Sequence, residues 1–165
     1  MSEIKAGESH SAVIGIGSNI SPQENLPKSV QALASASEIL AVSKVYRTSP
    51  VGGRGPDFLN AAVLLKTRLS VRDLREGVLR EIESRLGRHR SADPNSPRTI
   101  DLDILIFDGV VVDENIWRLA YLCVPISDLP PVFLDPALNE TLHQRATELR
   151  RLSSIETISL ELHWS

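Results

Sequence analysis

A chain of 165 residues, 42% hydrophobic and 24% charged, has enough apolar material for one packed domain and too much for a disordered segment. Its net charge of −3 argues against a general nucleic-acid binder, while leaving room for a local basic cluster that takes a small anion. No apolar run approaches the roughly 20 residues that span a bilayer, and a lone cysteine, Cys123, cannot form an internal disulfide.

Met1 to Ser11 reads as a frayed polar tail without the apolar core of an export signal, which sets a cytoplasmic expectation. Ala12 to Gly17 is a short apolar run and predicts a buried strand. Ser21 is placed as the N-cap of a helix, with Pro22 at its first position and Glu24 three residues after the cap. Leu26, Val30 and Leu33 follow at helical spacing. Ile39 to Tyr46 predicts a second strand. Between Thr48 and Pro56 stand three glycines and two prolines, which predict a loop. Phe58 to Thr67 predicts a third strand, and Ser70 with Asp73 opens a helix that runs to Leu86 and stops at Gly87.

A polar loop from Arg88 to Arg98 leads into a strand over Ile100 to Phe107. Asp108-Gly109 is a two-residue hairpin signal that folds Val110 to Val112 back on that strand. Beyond Glu114 the pattern weakens: Leu138 to Leu152 predicts an amphipathic helix and Ile155 to Leu162 a last strand. The order β-α-β-β-α-β predicts an α+β fold. Its ferredoxin-like βαββαβ core would have an antiparallel sheet with helices, plus a C-terminal extension.

Chemistry concentrates in Pro97 to Phe107 (PRTIDLDILIF). Alternate strand positions share a face, so Asp101 and Asp103 project together while Ile100, Leu102 and Ile104 point into the core. Two like charges on a mostly apolar strand are costly unless something neutralises them. Magnesium would do so, because it takes one or two carboxylates together with phosphate oxygens. Arg88, His89, Arg90 and Arg98 crowd the loop before the strand, where cations beside metal-bound phosphates belong. Two other readings of these residues stay open: aspartates facing water on a half-exposed sheet, and arginines pairing with them directly. His10, His89, His143 and His163 are scattered and Cys123 has no near partner, so no zinc site is expected.

With these residues in view, Pro97-Arg98-x-x-Asp101-Leu102-Asp103-Ile104-Leu105 resembles the signature of the 6-hydroxymethyl-7,8-dihydropterin pyrophosphokinase family of folate biosynthesis. Three further segments occur in the family's order: Ile16-Gly17-Ser18-Asn19, Tyr46 to Gly52 (YRTSPVG) and Pro56 to Ala62 (PDFLNAA). Glu83 and Gly87-Arg88 fall at the family's spacing upstream of the signature. The resemblance implies transfer of the terminal pyrophosphoryl unit of ATP to the pterin hydroxymethyl group, with AMP released. It implies that Asp101 and Asp103 hold two magnesium ions, that Asn60 hydrogen-bonds the pterin edge and that Phe58 stacks on its ring. Thr48, Pro50 and Val51 would complete the pterin pocket. Glu83, Arg88 and Arg98 would serve the nucleotide side, the two arginines as phosphate contacts. The expected partners are ATP and a pterin, with no nucleic acid and no membrane. The expected form is one monomeric pyrophosphokinase-like domain over residues 1–165.

The chain also departs from that family. After a Val-Pro pair the family carries a His, then an Arg and an aromatic that closes over the pterin. Here Val124-Pro125 is followed by Ile126, no arginine comes before Arg145, and Val132 takes the aromatic's place beside Phe133. Asn95 stands where the family often has a tryptophan in its second loop. The expectation is an active but divergent enzyme, with Trp117, Tyr121 or His89 as candidates to replace what is missing. A changed acceptor on the same fold and a non-catalytic pterin- or nucleotide-binding relative are the alternatives. A ferredoxin-like RNA-binding domain is disfavoured by the 4% aromatic content and by the lack of a stacking pair on the strands.

Overall fold

The computed structural model describes residues 7–89, 91–131 and 134–164. β1 (His10–Ser18) lies within a seven-stranded sheet whose pairings are all antiparallel. It is flanked by β4 (Phe58–Thr67) and β5 (Asp101–Phe107). β2 (Glu38–Val42) and β3 (Val45–Thr48) pair in succession with the other side of β4. β6 (Val110–Val111) ends the sheet beyond β5, and β7 (Ile155–Ile158) ends it beyond β3. The core order β5-β1-β4-β3 is the ferredoxin-like arrangement that the element order predicts.

Several strand boundaries differ from expectation. His10 and Ser11, read as the end of a tail, belong to β1, and His10 is buried. The cause is the hairpin turn. His10 Nδ1 lies 2.7 Å from Asp108 Oδ2, and the Ser11 N–H donates to Asp108 Oδ1 at 3.0 Å. Asp108 and Gly109 have φ of 50° and 76°, the positive pair that a type I′ turn requires. The strand predicted over Ile39 to Tyr46 is two strands, because Ser43-Lys44 leaves the ladder. There the Ser43 hydroxyl accepts from the Ala62 N–H at 2.8 Å and donates to the Lys44 carbonyl at 2.7 Å. The last strand, predicted to reach Leu162, stops at Ile158.

α1 (Pro22–Ala36) starts where predicted, but Ser21 is left-handed (φ 44°) and its hydroxyl makes no cap bond. Its carbonyl holds the helix start instead, accepting from the N–H groups of Glu24 and Asn25 at 3.0 and 2.9 Å. The next predicted helix runs without a break through α2 (Val71–Asp73), a π-helical stretch (Leu74–Leu79) and α3 (Arg80–Arg85). Ser70 caps it, its hydroxyl accepting from the Asp73 N–H at 3.1 Å, and Gly87 follows at φ 83°.

These helices cover one face of the sheet. Leu26, Val30, Leu33, Leu74, Leu79 and Ile82 pack there with Ile14, Ile16, Leu102 and Ile104. The other face carries α4 (Ala120–Ser127), which has no counterpart among the predicted elements, and α5 (Pro136–Leu152). A 3-10 turn (Glu114–Trp117) leads into α4, and the Asp135 carboxylate caps α5 by accepting from the Ala137 N–H at 2.9 Å. Val13, Leu64, Leu105 and Ile106 pack there against Cys123, Val124, Ile126, Leu142 and Leu149. Each such side chain contributes about 1.5–3 kcal/mol on burial, so both layers hold the sheet between them. Cys123 is fully buried, with Sγ 3.7 Å from the Leu142 carbonyl, and burial pushes its thiol up to about 11.

The β1–β5 register shifts between Val13 and Ile14, which leaves Leu105 as an extra residue on β5. Leu105 and Ile106 therefore both face the α4–α5 layer, while Ile104 and Phe107 face α1. Before this bulge the alternation of β5 is regular. Among the described residues no helix is long and apolar enough to cross a membrane.

Candidate active site

The strand register brings the predicted residues to one end of the sheet. Gly17 pairs with Asp101 on one side and Asn60 on the other, and Gly15 pairs with Asp103 and Ala62. Asp101, Asp103, Asn60 and Phe58 thus share the face that carries α4. A cleft opens here, with Gly15, Gly17, Asn60, Asp101 and Asp103 on its floor and Tyr121 and Leu122 of α4 along one wall. Thr48 to Val51, Phe58, Pro94, Asn95 and Arg98 complete it. Thr48, Pro50, Val51, Phe58, Asn60, Arg98, Asp101 and Asp103, all named from sequence, line this single cleft. Glu83 and Arg88 line a second, more polar cleft that shares Asp101 and Asp103 with the first.

Asp101 is doubly paired. Its Oδ1 accepts from Arg88 Nη1 at 2.6 Å and its Oδ2 from Arg98 Nη1 at 2.9 Å. Arg88 also bonds to Glu83, which is 4% exposed and accepts from the Leu102 N–H at 3.3 Å. Burial works against the Arg88 charge, yet Asp101 and Glu83 together hold its pKa above the ordinary value. Direct pairing by arginine, left open by the sequence, is what the structure shows for Asp101.

Asp103 differs. Among the described residues it has no hydrogen-bond or ion-pair partner, and its side chain is open on the cleft side. The concave surroundings still push its carboxyl up to about 7, through desolvation first and then the charges of Asp101, Glu83 and Asp113, with Arg88 opposing. A cation bound there would displace a proton near neutral pH. Among the described residues no three His, Cys, Asp or Glu side chains gather into a metal cage. Two carboxylates facing a cleft suit instead a cation that brings oxygen ligands with it, as magnesium on phosphates does.

The other half of the cleft combines an amide with an aromatic ring. Asn60 Nδ2 donates to Thr48 Oγ1 at 2.9 Å, with both residues buried. That bond fixes the amide and leaves its carbonyl and second N–H free of it for a ligand edge. The Arg98 guanidinium lies 5.9 Å from the Phe58 ring centroid, within cation–π reach. Asn19, unassigned in sequence, anchors this arrangement. Its Oδ1 accepts from the Arg98 N–H at 2.8 Å, and its own N–H donates to the Arg98 carbonyl at 3.1 Å. The turn after β1 therefore holds the backbone from which Arg98 and Asp101 project.

Of the three candidate replacements, Tyr121 lines the cleft. Its hydroxyl pKa is raised by burial and then by the charges of Asp101 and Asp103. Trp117 packs into the α4–α5 layer, where its carbonyl accepts from Arg145 Nε at 2.6 Å. His89 is exposed and lines neither cleft. Val124-Pro125 lies inside α4, and Tyr121, which lines the cleft, stands before that pair on the same helix. Asn95 lines the cleft at the place of the expected tryptophan. Val132, Phe133 and Arg90 lie outside the described residues.

Fold and site together define a ferredoxin-like phosphotransferase, with paired carboxylates between a basic loop and an amide-and-aromatic slot. The chain belongs to the 7,8-dihydro-6-hydroxymethylpterin-pyrophosphokinase (HPPK) family, whose profile matches residues 13–131. It is 42% identical over 130 residues to the 2-amino-4-hydroxy-6-hydroxymethyldihydropteridine pyrophosphokinase of Bacillus subtilis, covering 72% of this chain and 77% of that one. It is 30% identical over 146 residues to the enzyme of the same name from Synechocystis, covering 82% and 74%. Its fold is similar to that of the Plasmodium falciparum HPPK-DHPS wild type solved with pteroate (TM-score 0.63, 12% identity). That match covers 86% of this chain but 42% of the Plasmodium chain.

Proposed function

We propose that this chain transfers a pyrophosphoryl group from ATP to the hydroxymethyl oxygen of 6-hydroxymethyl-7,8-dihydropterin, as a magnesium-dependent enzyme of the cytoplasm acting as one monomeric domain. The observation that carries this reading is the shared cleft, where Asp101 and Asp103 open beside Asn60, Phe58 and Tyr121. Family membership supports it, because the relatives are named as hydroxymethyldihydropteridine pyrophosphokinases.

Asn60, held by Thr48, would read the donor and acceptor edge of the pterin, with Phe58 and Tyr121 as the two walls of its ring site. Pro50 and Val51 would close the outer rim. Asp101 and Asp103 would hold magnesium, which when bound neutralises the phosphate charge and fixes the chain in line with the acceptor. Arg88 and Arg98, paired to Asp101 in the free protein, would turn their remaining donors to phosphate oxygens. Glu83 keeps Arg88 in place from beneath. The acceptor oxygen bonds to the β-phosphorus, the bond from that phosphorus to the α-phosphate oxygen breaks, and AMP leaves. The hydroxyl proton is lost to solvent. Catalysis of this kind is positioning and charge neutralisation, and no covalent enzyme intermediate is required.

The test is AMP release from ATP with magnesium and 6-hydroxymethyl-7,8-dihydropterin, for the natural chain and for Asp101→Ala and Asp103→Asn. Pterin-dependent AMP that disappears in both variants supports the reading. AMP absent from the natural chain, with magnesium-dependent ATP binding intact, would replace it with a changed acceptor or a binding-only protein.

A further inference from the structure

The π-helical stretch in the helix below the acid pair has a consequence for charge. In an α-helix, residues five apart point about 140° away from one another. Here the Arg80 N–H donates to the Arg75 carbonyl, a bond that spans five residues, so the wider turn makes Arg75 and Arg80 neighbours. Both line the polar cleft that also holds Arg88, Asp101 and Asp103. π-turns of this kind occur often at functional sites, because the inserted residue re-aims the side chains around it.

The charges of this cleft divide unevenly. Arg88 is committed to Asp101 and Glu83, and Arg80 pairs with Glu76 at 3.3 Å on the open surface. Arg75 is half-buried and, among the described residues, has no hydrogen-bond or ion-pair partner. Asp103 is likewise without a partner among the described residues. One unmatched cation and one unmatched anion thus line the same cleft. A magnesium polyphosphate presents both signs at once, its metal to a carboxylate and its phosphate oxygens to a guanidinium.

We infer that Arg75, assisted by Arg80, grips the polyphosphate of the nucleotide and supplies the cationic contacts that this chain lacks after Val124-Pro125. The inference rests on the function proposed above and deepens it: the phosphate clamp comes from the π-turn rather than from the segment that follows the Val-Pro pair. Arg75 is a binding residue here, so its loss acts on phosphate affinity and leaves the pterin half of the cleft alone.

The test is calorimetric titration of inorganic tripolyphosphate with magnesium, at low salt, into the natural chain, Arg75→Gln, Arg75→Lys and Arg80→Gln. Arg75→Gln is expected to bind about tenfold to a hundredfold more weakly, the range for a hydrogen bond to a charged group. Arg80→Gln should lose less, and Arg75→Lys should recover part of the affinity as a point charge without the fork. Pterin binding and thermal melting should stay unchanged in every variant. Equal tripolyphosphate affinity in the natural chain and Arg75→Gln would overturn the inference while leaving the proposed function standing. No magnesium-dependent binding by the natural chain would also overturn the inference, while the AMP-release assay decides the proposed function separately.

Discussion

A Cβ placed on Gly17 would lie 3.2 Å from Asn60 Oδ1, closer than most real contacts of that kind. Gly17 pairs directly with both Asn60 and Asp101, so it stands between the Asn60 amide and the acid pair. Gly17→Ala is expected to push the Asn60 amide against Thr48 and weaken pterin binding by about tenfold, equivalent to about 1.4 kcal/mol. Magnesium-dependent tripolyphosphate binding should hold. Fluorescence titration with the pterin, beside calorimetry with the phosphate, separates the two effects.

Tyr121 tests whether α4 provides the second wall of the ring site. Loss of stacking in Tyr121→Leu should weaken pterin binding by about tenfold or more, since ring stacking is worth about 1–3 kcal/mol. Tyr121→Phe keeps the ring and should bind the pterin nearly as the natural chain does. If both variants behave alike, Tyr121 acts through its hydroxyl or not at all.

Arg88 joins two carboxylates, and its removal leaves the Glu83–Asp101 neighbourhood with excess negative charge. Arg88→Met should lower stability by on the order of 2 kcal/mol, as expected for lost hydrogen bonds to charged groups. Adding Glu83→Gln to that variant should recover part of the loss, because the buried charge goes with it. Urea unfolding of the single and double variants gives the coupling directly.

Tyr46, the cross-strand partner of Asn60, gives the fold a pH dependence of its own. Its hydroxyl donates to Asp128 Oδ2 at 2.6 Å, which ties β3 to the end of α4. Burial first, and then Asp128, raise the phenol from 10.0 to about 12. A raised acid favours its neutral form in the folded state, so this contribution is full below pH 10 and is lost as pH rises through 12. The gap is worth about 2–3 kcal/mol. Stability measured by urea unfolding should therefore fall between those pH values in the natural chain. In Tyr46→Phe the fall should be shallower, from a starting point about 1–2 kcal/mol lower at pH 8.

Much of this was legible in the residues, for identifiable reasons. Phe58 to Thr67 is a long apolar run between clear breakers, and it matches β4 residue for residue. Asp108-Gly109 announces its turn because few other pairs accept two positive φ angles. The acid pair follows from a period of two on a strand whose other side is Ile100, Leu102 and Ile104. The bulge at Leu105 was hidden because register belongs to two strands at once. α4 was hidden because Ala120 to Ser127 is apolar at nearly every position and encloses Pro125, which leaves no amphipathic period to detect. The π-stretch did leave a trace in the five-residue step from Leu74 to Leu79, both of them buried. Arg98 lies three residues before Asp101 and its pairing was among the readings open in the sequence, whereas the approach of Tyr121 depends on contacts between distant segments, which no local pattern reports.

Cys123 opens a practical route to the loop beside the cleft. Its thiol is fully buried and pushed up to about 11, so it carries almost no thiolate at neutral pH and offers nothing for a maleimide to attack. A variant such as Arg54→Cys, on the exposed glycine-rich loop, would then be labelled at one position without first removing the native cysteine. A dye or spin label there would report the loop's movement as ATP and pterin are added, on a protein whose core chemistry is untouched.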